Sequence, residues 1–378
     1  MASQRLTFID VLRGIACVWM IETHAVNAFL SDAYTSGPIY SALKISNGFV
    51  AVLFIFCAGA GFRLALESKL EEYVSCGKSL WQYSRRLLFI LGIGYSLQTP
   101  IFSYSYLEGA NQAEWMRFLD SNVLQLIVMS SFFALTGLLL TRSLKRMIYY
   151  AWFMGFMIFV LTPLIWSIPT ESLLAIPDYL RMYVSTQPPA SFPLFPWAGY
   201  YFAGYIATHY FMSASDKKRA SNIYLIISIG LMLIVYGISR TDWTYYSQEL
   251  NWWLVSPMHM LFRVAGALFL FALLFIVQET FNGPLSRLLM LNGRESLVVY
   301  VGQGVILYGA GMQEIIRSIF PDEFQPWHIV VLTLSVIIFM TSYAFVWNSY
   351  KKKMPVHAKW TLYLGMTIYI LIFFLTPA

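Results

Sequence analysis

The chain has 378 residues, of which 58% are hydrophobic and 12% charged, and its mean hydropathy is +0.61. This composition excludes a soluble globule and fits a polytopic membrane protein. The net charge of +6 sits in short loops between apolar runs, so it is not a nucleic-acid signal; three cysteines at unrelated spacings (Cys17, Cys57, Cys76) make neither a disulfide framework nor a metal site.

Eleven apolar segments are expected as spans, at roughly 8–31, 46–67, 87–106, 121–141, 147–169, 194–213, 222–239, 257–278, 293–312, 328–348 and 360–377. Segments of this length satisfy their backbone in lipid only as helices. The predicted fold is therefore all-α, a membrane bundle of about 10–11 transmembrane helices forming a single domain over residues 1–378. The last segment decides the count, and ten spans would leave both termini on the same side. The first run carries Asp10 and Arg13 and has no small-residue cleavage site, so it is expected to persist as a helix. One set of loops holds fourteen lysines and arginines, among them Lys69, Lys78, Arg142, Lys217 and Lys351, and the alternate set holds five. The richer set is expected in the cytoplasm, together with the N-terminus.

The first segment pairs Arg13 with His24. They are eleven residues apart, close to three helical turns, so they share a face about 16 Å apart along the axis. Ionisable groups at such depth are expensive and by default mark a function. His24 reads either as a packing histidine or as a proton-handling group. Arg13 reads either as the i, i+3 partner of Asp10 or as a phosphate contact, since guanidinium matches phosphate oxygens bidentately.

Arg85 and Arg86 open the third segment; they are topology determinants or phosphate-gripping residues, with Arg63 near the end of the second segment as a further member. At the fourth segment Asp120 or Ser121 is a helix cap, and Asn122 and Gln125 follow one turn apart within the apolar run. His259 and Arg263 are spaced i, i+4 on the eighth segment, where Arg263 must face protein or water. Arg294, Glu295, Ser296 and Tyr300 open the ninth. Segments 107–120, 170–193 and 240–256 are rich in aromatic and hydrogen-bonding residues, and Asp242 to Trp253 reads either as an interfacial belt or as a sugar-binding surface. The chain has no glycine-rich phosphate loop, zinc spacing or nucleophile elbow, so the usual ATPases, zincins and serine hydrolases are set aside.

The run Arg5-Leu-Thr-Phe-Ile-Asp10-Val-Leu-Arg13-Gly14-Ile-Ala resembles the opening of the heparan-α-glucosaminide N-acetyltransferase family and its bacterial relatives. The resemblance continues at Phe54-Ile-Phe56-Cys-Ala-Gly59, at Val123-Leu-Gln125, along Phe192-Pro193 to Gly204, and at Gly293-Arg-Glu-Ser296-Leu-Val-Val-Tyr300. The Arg13–His24 spacing is similar to that in the broader transmembrane acyltransferase group that O-acetylates polysaccharides. The chain departs from the pattern in two places: Ser31 to Ser46 contains no histidine, and Gln303 stands where many relatives have one.

The resemblance implies a membrane enzyme that carries an acetyl group from cytoplasmic acetyl-CoA to a hydroxyl or amine of an extracytoplasmic glycan or glycolipid, with no metal. His24 would be the catalytic base, and Arg13, Arg85 and Arg86 would hold the donor. Asn122, Gln125, Trp197 and Arg263 are expected on the acceptor side. The expected partners are the lipid bilayer and the acceptor, with no nucleic acid and with a homodimer left open. The expected location is a bacterial cytoplasmic membrane. The competing reading is a transporter or flippase for a small anionic or glycan-linked solute.

Overall fold

The computed structural model describes residues 6–99, 103–184, 191–239, 255–319 and 324–377. Every ordered element among them is helical, as the apolar runs require. In chain order these are α1 (Thr7–Phe29), α2 (Gly37–Val74), α3 (Lys78–Ser96), α4 (Tyr104–Glu108), α5 (Gln112–Phe118), α6 (Val123–Thr141), α7 (Leu144–Trp166), α8 (Thr170–Leu173), α9 (Asp178–Val184), α10 (Leu194–Ser213) and α11 (Lys217–Ser239). They continue with α12 (Pro257–Ile276), α13 (Pro284–Arg294), α14 (Ser296–Tyr308), α15 (Ala310–Ile319), α16 (Pro326–Lys353) and α17 (Pro355–Leu375).

Seven of the described helices are long and apolar enough to cross a membrane by themselves: α2, α6, α7, α11, α12, α16 and α17. The other four expected segments are helical over most of their described residues, and their chemistry explains why they fall short. Helix α1 carries Asp10, Arg13 and Glu22, α3 carries Lys78, Arg85 and Arg86, α10 is rich in tyrosine, and the ninth segment is broken at Glu295, which leaves α14 only 13 residues long. Large apolar side chains such as Ile226, Leu233, Ile234, Leu364 and Leu375 lie exposed on α11 and α17, as lipid-facing helices require.

The chain divides into two compact units: a terminal unit of Leu6–Phe54 with Val277–Thr376, and a central unit of Ile55–Ile276. The long helix α2 contributes to both.

In the terminal unit α1 packs on α13, α14 and α16. Its first crossing is a backbone contact. A Cβ on Gly14 would run into the carbonyl oxygen of Leu289, and one on Gly293 into that of Asp10. Small residues allow this approach, which side chains then lock. The Cys17 thiol donates to the Asn292 carbonyl at 3.6 Å, and Arg294 Nε pairs with Asp10 Oδ2 at 3.1 Å. The neighbouring residues turn to α16: Asn292 Nδ2 donates to Thr341 Oγ1 at 3.0 Å, and buried Glu295 accepts from Asn348 at 2.7 Å and from Lys351 at 2.6 Å.

The central unit repeats the device between α2 and α10. A Cβ on Gly59 would collide with the Tyr201 carbonyl, and one on Gly204 with that of Phe56. Around this crossing Phe62 packs against Tyr201 and Tyr205, while α10 also packs on α7 and α6 and α11 lies along α12. Two prolines shape the start of α10. Pro196 cannot donate to the helix ladder, the backbone bends at Phe195, and the Phe195 carbonyl accepts from the Trp166 indole at 3.1 Å.

Candidate active site

His24 sits on α1 in the terminal unit, half-buried. Its Nδ1 is 2.8 Å from Oε1 of Gln303 on α14. The Gln303 side chain is fully buried, and its Nε2 donates to the Tyr300 carbonyl at 3.0 Å. The Tyr308 ring meets the imidazole edge-on, with centroids 5.2 Å apart and planes at 73°. One helix, α14, thus supplies the hydrogen-bond partner and one wall for a histidine 279 residues earlier in sequence. About three turns away, Arg13 is half-buried on the same helix.

Arg85 and Arg86 are both exposed on α3 in the central unit, and no hydrogen bond or ion pair holds either guanidinium among the described residues. Arg63 differs. It is only 3% exposed and already engaged, donating to Glu67 Oε2 at 2.7 Å and to His209 Nδ1 at 3.2 Å. That arrangement makes it a tie between α2 and α10 rather than a third free cation beside Arg85 and Arg86.

The four residues expected on the acceptor side all belong to the central unit, and three of them are linked. Gln125 is fully buried on α6 and donates to Gln98 Oε1, and Gln98 Nε2 donates to the Asp120 carbonyl at 2.9 Å. The Asp120 carboxylate accepts from the Ser191 amide at 2.8 Å and its hydroxyl at 2.6 Å. Ser121 and Phe192 then exchange two bonds, each 2.7 Å long. The Phe192 ring lies 4.7 Å from that of Trp197, and the Arg263 guanidinium carbon stands 5.4 Å from the Trp197 centroid. Arg263 is 7% exposed, and an aromatic face is one of the few groups that can receive such a cation away from water. Asn122 does something else: its carboxamide oxygen accepts from the Val123 amide at 2.7 Å and caps α6.

Burial pushes the Asp120 carboxyl above the usual carboxylate range, against the lowering effect of the Ser191 bonds. In the segment before it, the Tyr106 hydroxyl and the Asn111 amide hold Glu114 below that range.

Gln303, Gln98 and Ser191 escaped the reading of the sequence as site residues. Gln303 departs from the family pattern, but its pairing with His24 has no local signal in the sequence. The aromatic stretch from Asp242 to Trp253 lies outside the described residues. Among the described residues there is no group of three or more histidine, cysteine, aspartate or glutamate side chains placed to hold a metal ion.

The sequence profile described as heparan-alpha-glucosaminide N-acetyltransferase, catalytic, matches residues 5–248, well over half of the chain. The matched stretch takes in Arg13, His24, Arg85, Arg86, Asn122, Gln125 and Trp197, and it ends before Arg263 and the Gly293–Tyr300 motif. No curated protein matches the chain. With only helices among its described residues, seven of them long and apolar enough to cross a membrane, and with this match over well over half of its length, the chain belongs to the heparan-alpha-glucosaminide N-acetyltransferase catalytic family of membrane acetyltransferases.

Proposed function

We propose that the protein transfers an acetyl group from cytoplasmic acetyl-CoA to a hydroxyl or amine of an extracytoplasmic sugar or glycan. The observation that carries this reading is the family match over residues 5–248, which brings the reaction class and the donor with it. The identity of the base and of the acceptor-side residues is inferred from their chemistry.

Arg85 and Arg86 are adjacent, exposed and unengaged among the described residues, which suits the phosphates of CoA, and Arg13 is assigned a donor-binding role as well. His24 takes the proton of the attacking hydroxyl or amine as the new acyl bond forms, and the CoA thiolate leaves. On the acceptor side the Trp197 ring offers a sugar an aromatic surface, and Arg263, whose guanidinium lies over that ring, is assigned to the same side. Gln125 and Asn122 are assigned to the same side. The membrane is a bacterial cytoplasmic membrane with the N-terminus inside, in line with the loop cations.

The test uses purified protein in liposomes, radiolabelled acetyl-CoA and a pool of glycan acceptors. Wild type is expected to label the acceptor, and His24→Ala to lose at least a hundredfold of that rate with CoA binding intact. Arg85→Ala with Arg86→Ala is expected to weaken CoA binding by about tenfold or more. A wild-type protein that neither binds CoA nor labels any acceptor defeats the proposal and turns the assignment to solute transport, measured as uptake into the same liposomes.

A further inference from the structure

From the contact between α1 and α14 we infer that Gln303 is a positioning residue: it holds the neutral His24 ring in the Nδ1–H form and so leaves Nε2 as the proton-accepting nitrogen. This rests on the role proposed for His24 above.

The argument turns on which end of the Gln303 amide meets the ring. A backbone carbonyl can only accept, so the Gln303 atom 3.0 Å from the Tyr300 oxygen is the NH2 group. The other end of the amide, an oxygen, then faces His24 Nδ1 at 2.8 Å. An amide oxygen cannot donate, so the hydrogen in that bond belongs to Nδ1. In a neutral imidazole one nitrogen carries the hydrogen and the other the lone pair, so the lone pair is on Nε2. Reversing the amide would set its oxygen against the Tyr300 carbonyl and lose that bond inside a side chain with no exposure to water. The Tyr308 ring fixes the plane of the imidazole. No hydrogen bond occupies Nε2 among the described residues, so the nitrogen left basic is also the one left for a substrate proton.

The choice matters because neutral histidine in water favours the opposite form, with hydrogen on Nε2. Without Gln303 the ring would present its N–H, which cannot accept a proton from the acceptor. A glutamine also adds no charge beside the ring. It selects a tautomer without the full negative charge that a carboxylate in the same place would bring.

The experiment is 15N NMR of the full-length, 15N-histidine-labelled protein in lipid nanodiscs, where the two ring nitrogens report directly which carries hydrogen. The chain has five histidines, and the His24 signals are those lost in His24→Ala. Wild type is expected to show a protonated Nδ1 and an unprotonated Nε2. Gln303→Leu is expected to move the hydrogen to Nε2, and Gln303→Glu, which restores an acceptor oxygen, to return it to Nδ1. A wild-type neutral His24 with hydrogen on Nε2 overturns the inference, as does a Gln303→Leu spectrum unchanged at Nδ1. If Gln303→Leu fails to fold, the wild-type spectrum and Gln303→Glu decide the matter by themselves. Acetyl transfer measured on the same samples separates the two claims. Expected nitrogen shifts with no transfer in wild type would sink the enzymatic reading alone. Transfer that survives a demonstrated tautomer change in Gln303→Leu would overturn the positioning role.

Discussion

Glu295 shows how a single buried charge is accommodated in this protein. Its carboxylate is 5% exposed and takes bonds from Asn348 and from Lys351, whose own side chain is 39% exposed. The two partners are therefore unequal when one is removed. Lys351→Ala leaves a carboxylate buried with only an amide to bind, whereas Glu295→Ala leaves an ammonium that can reach water along its flexible stem. Lys351→Ala is expected to lower the melting temperature in detergent more than Glu295→Ala, with a cost of about 1–3 kcal/mol; equal losses would count against this. Arg263 has a similar dependence on Trp197. Trp197→Ala removes the aromatic face that receives the guanidinium, and acceptor KM is expected to rise while the affinity for CoA stays unchanged. The polarity of Gln125 and Arg263 within apolar runs is legible in the sequence; that Gln125, Asp120, Phe192, Trp197 and Arg263 form one connected series is not, because all of its links except Phe192–Trp197 join residues more than 20 positions apart.

At the scale of elements, the motifs that carry the family resemblance turn out to be helix crossings as much as chemistry. Gly14 and Gly293 meet in one unit and Gly59 and Gly204 in the other, each with its Cα against a backbone carbonyl of the facing helix. A backbone cannot move aside as a side-chain tip can, so alanine at any of the four is expected to destabilise by about 1–3 kcal/mol or to prevent folding. Gly230→Ala, on a lipid-facing stretch of α11 with nothing within 4 Å, is expected to be neutral or slightly stabilising. Melting curves of the five variants test the distinction, and a loss at Gly230 comparable to the others would remove its basis. Outside the spans, α5 is closed by a capping box in which Asn111 and Glu114 bond each other's amides. Because the bonds to Glu114 hold its pKa below the ordinary value, the folded segment binds this proton less readily than the unfolded one. Its contribution is present above the ordinary glutamate pKa and is lost as pH falls through the lowered one. Amide-exchange protection of Gln112–Phe118 is expected to fall at acid pH in wild type, and to be low and pH-independent in Glu114→Ala.

For the whole molecule, orientation is the property that the loop cations address and the helices do not. Cys76 offers a direct reading, since it is exposed in the turn between α2 and α3, within the cation-rich set of loops, while Cys17 and Cys57 are buried. A membrane-impermeant maleimide is expected to label Cys76 in inverted vesicles and not in intact cells. The reverse pattern would place Arg85 and Arg86 on the outer face and deny them a cytoplasmic donor.

Composition and apolar periodicity by themselves determined that this is an all-helical membrane protein and roughly where its helices run, because backbone in lipid has no other way to satisfy its hydrogen bonds. Local chemistry also marked His24, the arginines and the polar residues of the fourth and eighth segments, since a polar group in an apolar run is conspicuous wherever it lies. Only the tertiary structure decided what these groups meet. It paired Asp10 with Arg294, engaged Arg63 with Glu67 and His209, and set Gln303 against His24. Such pairings depend on which helix faces come together, and that is settled by close backbone approach at glycines and by the packing of whole helices, which no short stretch of sequence contains.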